Sequence, residues 1–178
     1  MFRHEVLISG FGGQGVAVAG RILGRSAVAA GLQATMLPSH GTETRGGYVR
    51  SQVVIADDDI DSPLVEKPDI FCALSQAAYT RFAQSAAQGV VLYDPETVAT
   101  GPAPAARSTA VPARGIALES AGTALAANIV MLGVVLRRLN LFPADYAEQA
   151  LRELMPRHAE SNIRALRAGC AHCPHCAG

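Results

Sequence analysis

The residues of this 178-residue chain that could do chemistry fall in separate places. Gly10-x-Gly12-x-x-Gly15, with Gly13 and Gln14 inside it, follows a short apolar run. Glycines at this spacing let backbone N–H groups approach a phosphate, and a helix starting there offers about half a positive charge. The same glycines also suit a plain tight turn packing helix against sheet. Farther on, His40-Gly41-Thr42-Glu43-Thr44-Arg45-Gly46-Gly47 sets charges between glycines. Arg45 could hold an anion bidentately where Gly46 and Gly47 allow close backbone approach. Alternatively, Glu43 and Arg45 could pair with each other and fix the loop. His40 could donate to a carboxylate or phosphate, or be an ordinary hydrogen-bonding residue. Asn128, on an otherwise apolar helix face, must find a partner if buried, either a ligand or a nearby loop.

The C-terminal tail carries Cys170-x-x-Cys173-x-x-Cys176 with His172 and His175 interleaved. Three thiolates and one imidazole would satisfy tetrahedral zinc, whereas a four-iron cluster would need a further thiolate, which a partner could supply. The other reading is a disordered tail with adventitious metal affinity. Cys72, in an apolar run, reads as a core residue.

Several classes of function are disfavoured. A simple NAD site wants an acidic residue at the end of the second strand, and here that strand ends Leu37-Pro38-Ser39-His40. No P-loop lysine follows the glycines, since Lys67 lies far from them. Formal net charge is zero, so no excess of basic residues offers itself to nucleic acid. The most apolar segment, residues 124–136, is interrupted by Asn128 and Gly133 and is shorter than the roughly 20 residues that cross a bilayer. A cytoplasmic protein without nucleic-acid or membrane partners is expected. With 49% hydrophobic and 17% charged residues, part of its surface is expected to be covered by other chains.

The elements that must position these residues follow from pattern and punctuation. Residues 5–9 form a strand, 16–30 a helix stopped by Gly31, and 34–37 a second strand closing a βαβ unit with a right-handed crossover. After the 39–47 loop, residues 48–55 read as a half-exposed strand. Residues 69–74 and 90–93 are buried strands, with a Ser75-capped helix to about residue 84 between them. Residues 99–107 read as an extended loop and 108–111 as a strand. Helices follow near 123–139, 144–155 and 158–168, with Pro143 and Pro156 bounding the second. The expectation is one α/β, Rossmann-like domain over residues 1–168, a mainly parallel sheet with helices on both faces, and a Cys/His-rich tail at 169–178.

Taken in order, four stretches resemble one family: Gly12-Gly13-Gln14-Gly15 before a small-residue helix, the His40 to Gly47 loop, Asp61-Ser62-Pro63 with Glu66-Lys67-Pro68-Asp69, and Asn128 to Gly133. Together, from about residue 4 to 168, they resemble the γ subunit or γ domain of 2-oxoacid:acceptor oxidoreductases, the domain III fold of pyruvate–ferredoxin oxidoreductase. The Ser75-Gln76-Ala77-Ala78-Tyr79 continuation and compact length look most like the separate γ chain of 2-oxoglutarate enzymes. Indolepyruvate and branched-chain 2-oxoacid enzymes carry similar domains.

The resemblance implies a subunit inactive alone in a CoA-dependent oxidative decarboxylation. Thiamine diphosphate and iron–sulfur clusters would sit on partner α and β subunits and a ferredoxin-like δ subunit, with ferredoxin as acceptor. Coenzyme A would be the co-substrate this region helps to handle, and the cofactor-binding candidates on this chain are Gly10, Gly12, Gly13, Gln14, Gly15, His40, Arg45, Gly46, Gly47 and Asn128. Glu43 and Arg45 would be candidates for a catalytic role, and the cysteine tail departs from the family pattern. A stand-alone nucleotide-binding or redox module is the alternative.

Overall fold

The computed structural model describes residues 1–40, 48–101 and 107–173. Six strands form one sheet: β1 Arg3–Phe11, β2 Gln33–His40, β3 Tyr48–Ala56, β4 Ile70–Ala73, β5 Val90–Tyr93 and β6 Arg107–Ala110. Their order is β2-β3-β1-β4-β5-β6. β1, β4, β5 and β6 pair in parallel, and β3 runs antiparallel to both β1 and β2. The sheet is thus mainly parallel, as expected, but the first two strands are not neighbours. β3 lies between them, so the βαβ unit read from sequence spans a gap that an antiparallel strand fills.

This insertion also corrects the half-exposed reading of residues 48–55. Ser51 to Ala56 are all buried, because β3 lies inside the sheet with helix α1 (Val16–Ala29) packed on one face and the segment around Val65 over the other. Its alternating Ser51, Gln52 and Val53 do not mark a wet face. The Gln52 side chain instead accepts from the Val65 amide in the loop packed over it.

Side chains alternate between two unequal layers. Val6, Ile8, Val53, Ile55, Ile70, Cys72 and Leu92 join helices α1 (Val16–Ala29), α3 (Ala113–Ala121), α4 (Ala127–Leu139), α5 (Asp145–Leu154) and α6 (Ala159–Ala171) in the main core. Leu7, Phe71, Ala73 and Val91 point the other way, onto α2 (Gln76–Phe82) and the 3-10 turn after it. Ser75 caps α2, its Oγ accepting from the Ala78 amide. Helix α3 was not legible in advance. It begins at Pro112 and stops at Gly122, whose φ of 77° ends the helix in the left-handed region.

Helix α4 is buried continuously from Asn128 to Leu136, so an all-round apolar sequence has found an all-round apolar site. Its first expected turn, residues 124–126, is a 3-10 turn capped by Thr123. α6 crosses α4 at two glycines. A Cβ on Gly133 would stand 2.8 Å from the Cys170 nitrogen, and one on Gly169 would overlap the Val130 carbonyl. Only bare backbone allows this approach. No helix among the described residues is long and apolar enough to cross a membrane.

The crossing makes a direct prediction. Gly169→Ala should lower unfolding stability by about 2 kcal/mol through overpacking against rigid backbone, measured by urea denaturation. A loss under about 0.5 kcal/mol, the range of an indifferent surface change, would show that the helices are not in this contact.

Candidate functional site

The glycine turn lies at the C-terminal end of β1, where the chain leaves for α1 on one face while β4 leaves for α2 on the other. Crevices at such a switch between neighbouring parallel strands are where open α/β sheets take ligands. Gly13 has φ 88° and Gly15, the N-cap of α1, has φ 71°, so both occupy conformations that side chains resist. A Cβ on Gly12 or Gly13 would meet nothing within 4 Å. Among the described residues no acceptor is bonded to the amides of Gly12, Gly13 or Gly15. The turn is therefore an open edge of free N–H donors at a helix N-terminus.

Two amide side chains hold it. Gln14 Oε1 accepts from the Phe11 amide at 2.6 Å and its Nε2 donates to the Leu74 carbonyl at 2.8 Å, tying the turn to the end of β4. Gly10 makes room for this, because a Cβ there would run into Gln14 and stand 2.8 Å from the Leu74 Cβ. From α4, Asn128 Nδ2 donates to the Gly15 carbonyl at 3.2 Å. Of the residues predicted at this site, Gly12 and Gly13 form the open surface, Gly10 and Gln14 shape it, Gly15 leaves room for the Asn128 amide that a Cβ there would strike, and Asn128 both supports Gly15 and lines the cleft.

The opposite wall was not anticipated. Asp94, at the end of β5, is buried, with Oδ1 accepting from the Glu96 amide at 2.9 Å and Oδ2 from the Arg114 amide at 2.8 Å. Both it and Arg114 line the cleft with Gly13, Gln14, Thr97 and Asn128. An acidic residue closing a buried parallel strand, Tyr93-Asp94-Pro95, was the available signal for Asp94. Arg114 went unseen because its helix did. A second cleft behind Asn128 shares Gly13 and Leu125 and is walled by His158, Ser161 and Asn162.

Glu43, Arg45, Gly46 and Gly47 lie outside the described residues, as do the side chain of His40 and Cys176. The backbone of His40 ends β2 opposite Val49. Cys170 falls within α6, where its Sγ faces the Gly133 carbonyl at 3.4 Å and burial pushes its thiol up. Cys173 Sγ faces the next carbonyl, Val134, at 4.0 Å. Among the described residues no cluster of three His, Cys, Asp or Glu could hold a metal.

The stretches around Asp61 and Glu66 serve the other end of the sheet. Arg3 donates to the Ser62 and Leu64 carbonyls. Glu5 accepts from the amides of Glu66 and Lys67, and the Asp69 carboxylate accepts from the Glu5 amide at 2.8 Å. They brace the N-terminal end of β1 and do not reach the cleft.

Cys72, fully buried under the main core, has its thiol pushed up to about 12 by burial, and nearby Arg138 opposes this without offsetting it. A pKa raised from 9.0 means that the folded state keeps a proton which the unfolded state loses, so stability declines as pH climbs from 9.0 toward about 12. Cys72→Ala should flatten that alkaline slope in denaturation curves taken at successive pH values, and an unchanged slope would contradict the burial.

Comparison with known proteins places this geometry. Residues 5–172 match the profile of the pyruvate ferredoxin/flavodoxin oxidoreductase family. The 2-oxoglutarate synthase subunit KorC of Methanocaldococcus jannaschii is 41% identical over 172 residues, spanning 94% of this chain and 92% of the relative. The ketoisovalerate oxidoreductase subunit VorA of Methanothermobacter thermautotrophicus is 40% identical over 93% of this chain but only 35% of its own length. Among solved structures, the γ subunit of a keto/oxoacid ferredoxin oxidoreductase from Geobacter sulfurreducens PCA superposes with a TM-score of 0.82 at 31% identity, covering 96% of this chain and 98% of that one. The chain belongs to the pyruvate ferredoxin/flavodoxin oxidoreductase family.

Proposed function

We propose that this chain is the γ-type subunit of a 2-oxoglutarate:ferredoxin oxidoreductase and that its glycine turn receives the diphosphate of coenzyme A. The observation that carries this is the open Gly12-Gly13 edge, with free amides and no side chain above it, held rigid by Gln14 and Asn128. A diphosphate needs several donors at close range and little else, and this edge offers them without a basic side chain of its own. The 41% identity to a 2-oxoglutarate synthase subunit, across 92% of that relative, supports the 2-oxoglutarate branch, with a branched-chain relative at 40% beside it.

Thiamine diphosphate, bound on α and β partner subunits, would supply the carbanion chemistry of decarboxylation. Iron–sulfur clusters there would pass electrons to ferredoxin. Cys72 is buried and protonated, and Cys170 is turned to a helix carbonyl, so neither presents a thiolate to a cluster. What this chain's residues do is bind and orient: the turn fixes the diphosphate, and Asn128 keeps Gly15 in place. Phe11 at one side of the turn and Leu125 on the cleft rim are exposed apolar side chains, 41% and 84% accessible, suited to cover by the partner subunits.

The test is an assay of CoA-dependent acceptor reduction by the chain co-expressed with its partners and by the chain alone. The assembly should turn over 2-oxoglutarate, and the isolated chain should be inactive. Preference for ketoisovalerate or indolepyruvate would reassign the branch, and full activity of the isolated chain would overturn the subunit role. Gly12→Ala should leave stability within about 0.5 kcal/mol, since its Cβ enters open space. It should nevertheless raise the KM for CoA about tenfold by blocking the approach of the diphosphate. An unchanged KM would remove the turn from CoA binding.

A further inference from the structure

The guanidinium of Arg114 stands apart from the structural duty its own backbone performs. The amide, not the side chain, bonds the buried Asp94 carboxylate and so fixes the start of α3. The side chain, half exposed, lines the cleft, and its Nε lies 3.4 Å from a Glu96 carboxylate that is itself largely in water. Such a pair attracts weakly, so Glu96 restrains Arg114 without fixing it. Asp94 does not compete for the charge, because the Glu96 and Arg114 amides already match its two oxygens. Among the residues lining this cleft, Arg114 is the cation.

Its position sets what it can reach. Arg114 is anchored at the end of β5, and β5 is two places from β1 in the sheet. Two strand spacings are about 10 Å, so a phosphate seated on the glycine turn lies away from the anchor of Arg114, and only the length of its side chain reaches toward it. A ligand with its diphosphate on Gly12 and Gly13 and a second anionic group displaced along the cleft would use both.

Resting on the reading of the turn given above, we propose that Arg114 recognises the ribose 3′-phosphate of coenzyme A. The chain would thereby select this cofactor over nucleotides that carry only the diphosphate. A planar guanidinium meets a phosphate by two parallel hydrogen bonds, and the doubly charged phosphate displaces the exposed Glu96 carboxylate. Glu96 holds Arg114 at the cleft wall until the ligand arrives.

Calorimetry on the full chain, purified with its partner subunits, tests this with coenzyme A and 3′-dephospho-coenzyme A. The wild type should bind coenzyme A about tenfold more tightly. Arg114→Gln keeps the backbone bond to Asp94, so it should fold normally. It should erase the preference while leaving the Kd of the dephospho compound unchanged, and Arg114→Lys should restore part of it. Glu96→Gln should strengthen coenzyme A binding roughly two- to threefold through the release of one exposed ion pair. Equal weakening of both ligands in Arg114→Gln would overturn the inference, placing Arg114 on the diphosphate or in the fold. A wild type that binds both alike would remove the inference and leave the function of the turn standing. A wild type that binds neither would remove both.

Discussion

The Gln14 side chain is the constraint on which the rest of the site depends. A glycine-rich turn is a loose object in isolation, because its residues lose more backbone freedom on ordering than any others. Here the two ends of one primary amide span from the Phe11 nitrogen to the Leu74 carbonyl, fixing the turn against the neighbouring strand. The free amides of Gly12 and Gly13 are thereby held in one arrangement before any ligand arrives, which lowers the ordering cost of binding. Gly10 belongs to the same device, since a larger residue would displace Gln14.

The second support reaches the turn from farther away. Asn128 can bond Gly15 only if α4 lies at the right depth, and that depth is set where Gly133 and Gly169 let α4 and α6 touch backbone to backbone. Glycines widely separated in sequence therefore do different work for one site: some expose backbone to a ligand and others let helices close up behind it. The far end of β1 is secured independently by Glu5, whose carboxylate and amide engage the segment from Glu66 to Asp69. The strand that carries the turn is thus held at both ends.

Much of this could be read in the residues. The glycine spacing, the Ser75 cap and the apolar run through Leu132 each named their element correctly, because local chemistry and tertiary position agree there. What failed was information that no local pattern holds. The insertion of β3 between β1 and β2 is a choice of pairing partner, so Ser51 and Gln52 looked like a wet face while lying buried. Helix α3 is short, weakly amphipathic and starts from Pro112 without a side-chain cap, so its start left no signal, and Arg114 went unnoticed with it. The role of Asn128 stood undecided between loop support and ligand contact because both depend on the depth of α4, a tertiary quantity.

The central claim is that the amides of the turn are a ready diphosphate cradle, and amide resonances report on it directly. In a 15N–1H correlation spectrum of this 178-residue chain titrated with coenzyme A, the account predicts the largest shifts at Gly12, Gly13 and Gly15, with the Gln14 side-chain amide little changed because its bonds are internal. Shifts confined to residues away from the C-terminal end of β1, with these glycines unmoved at saturation, would contradict it.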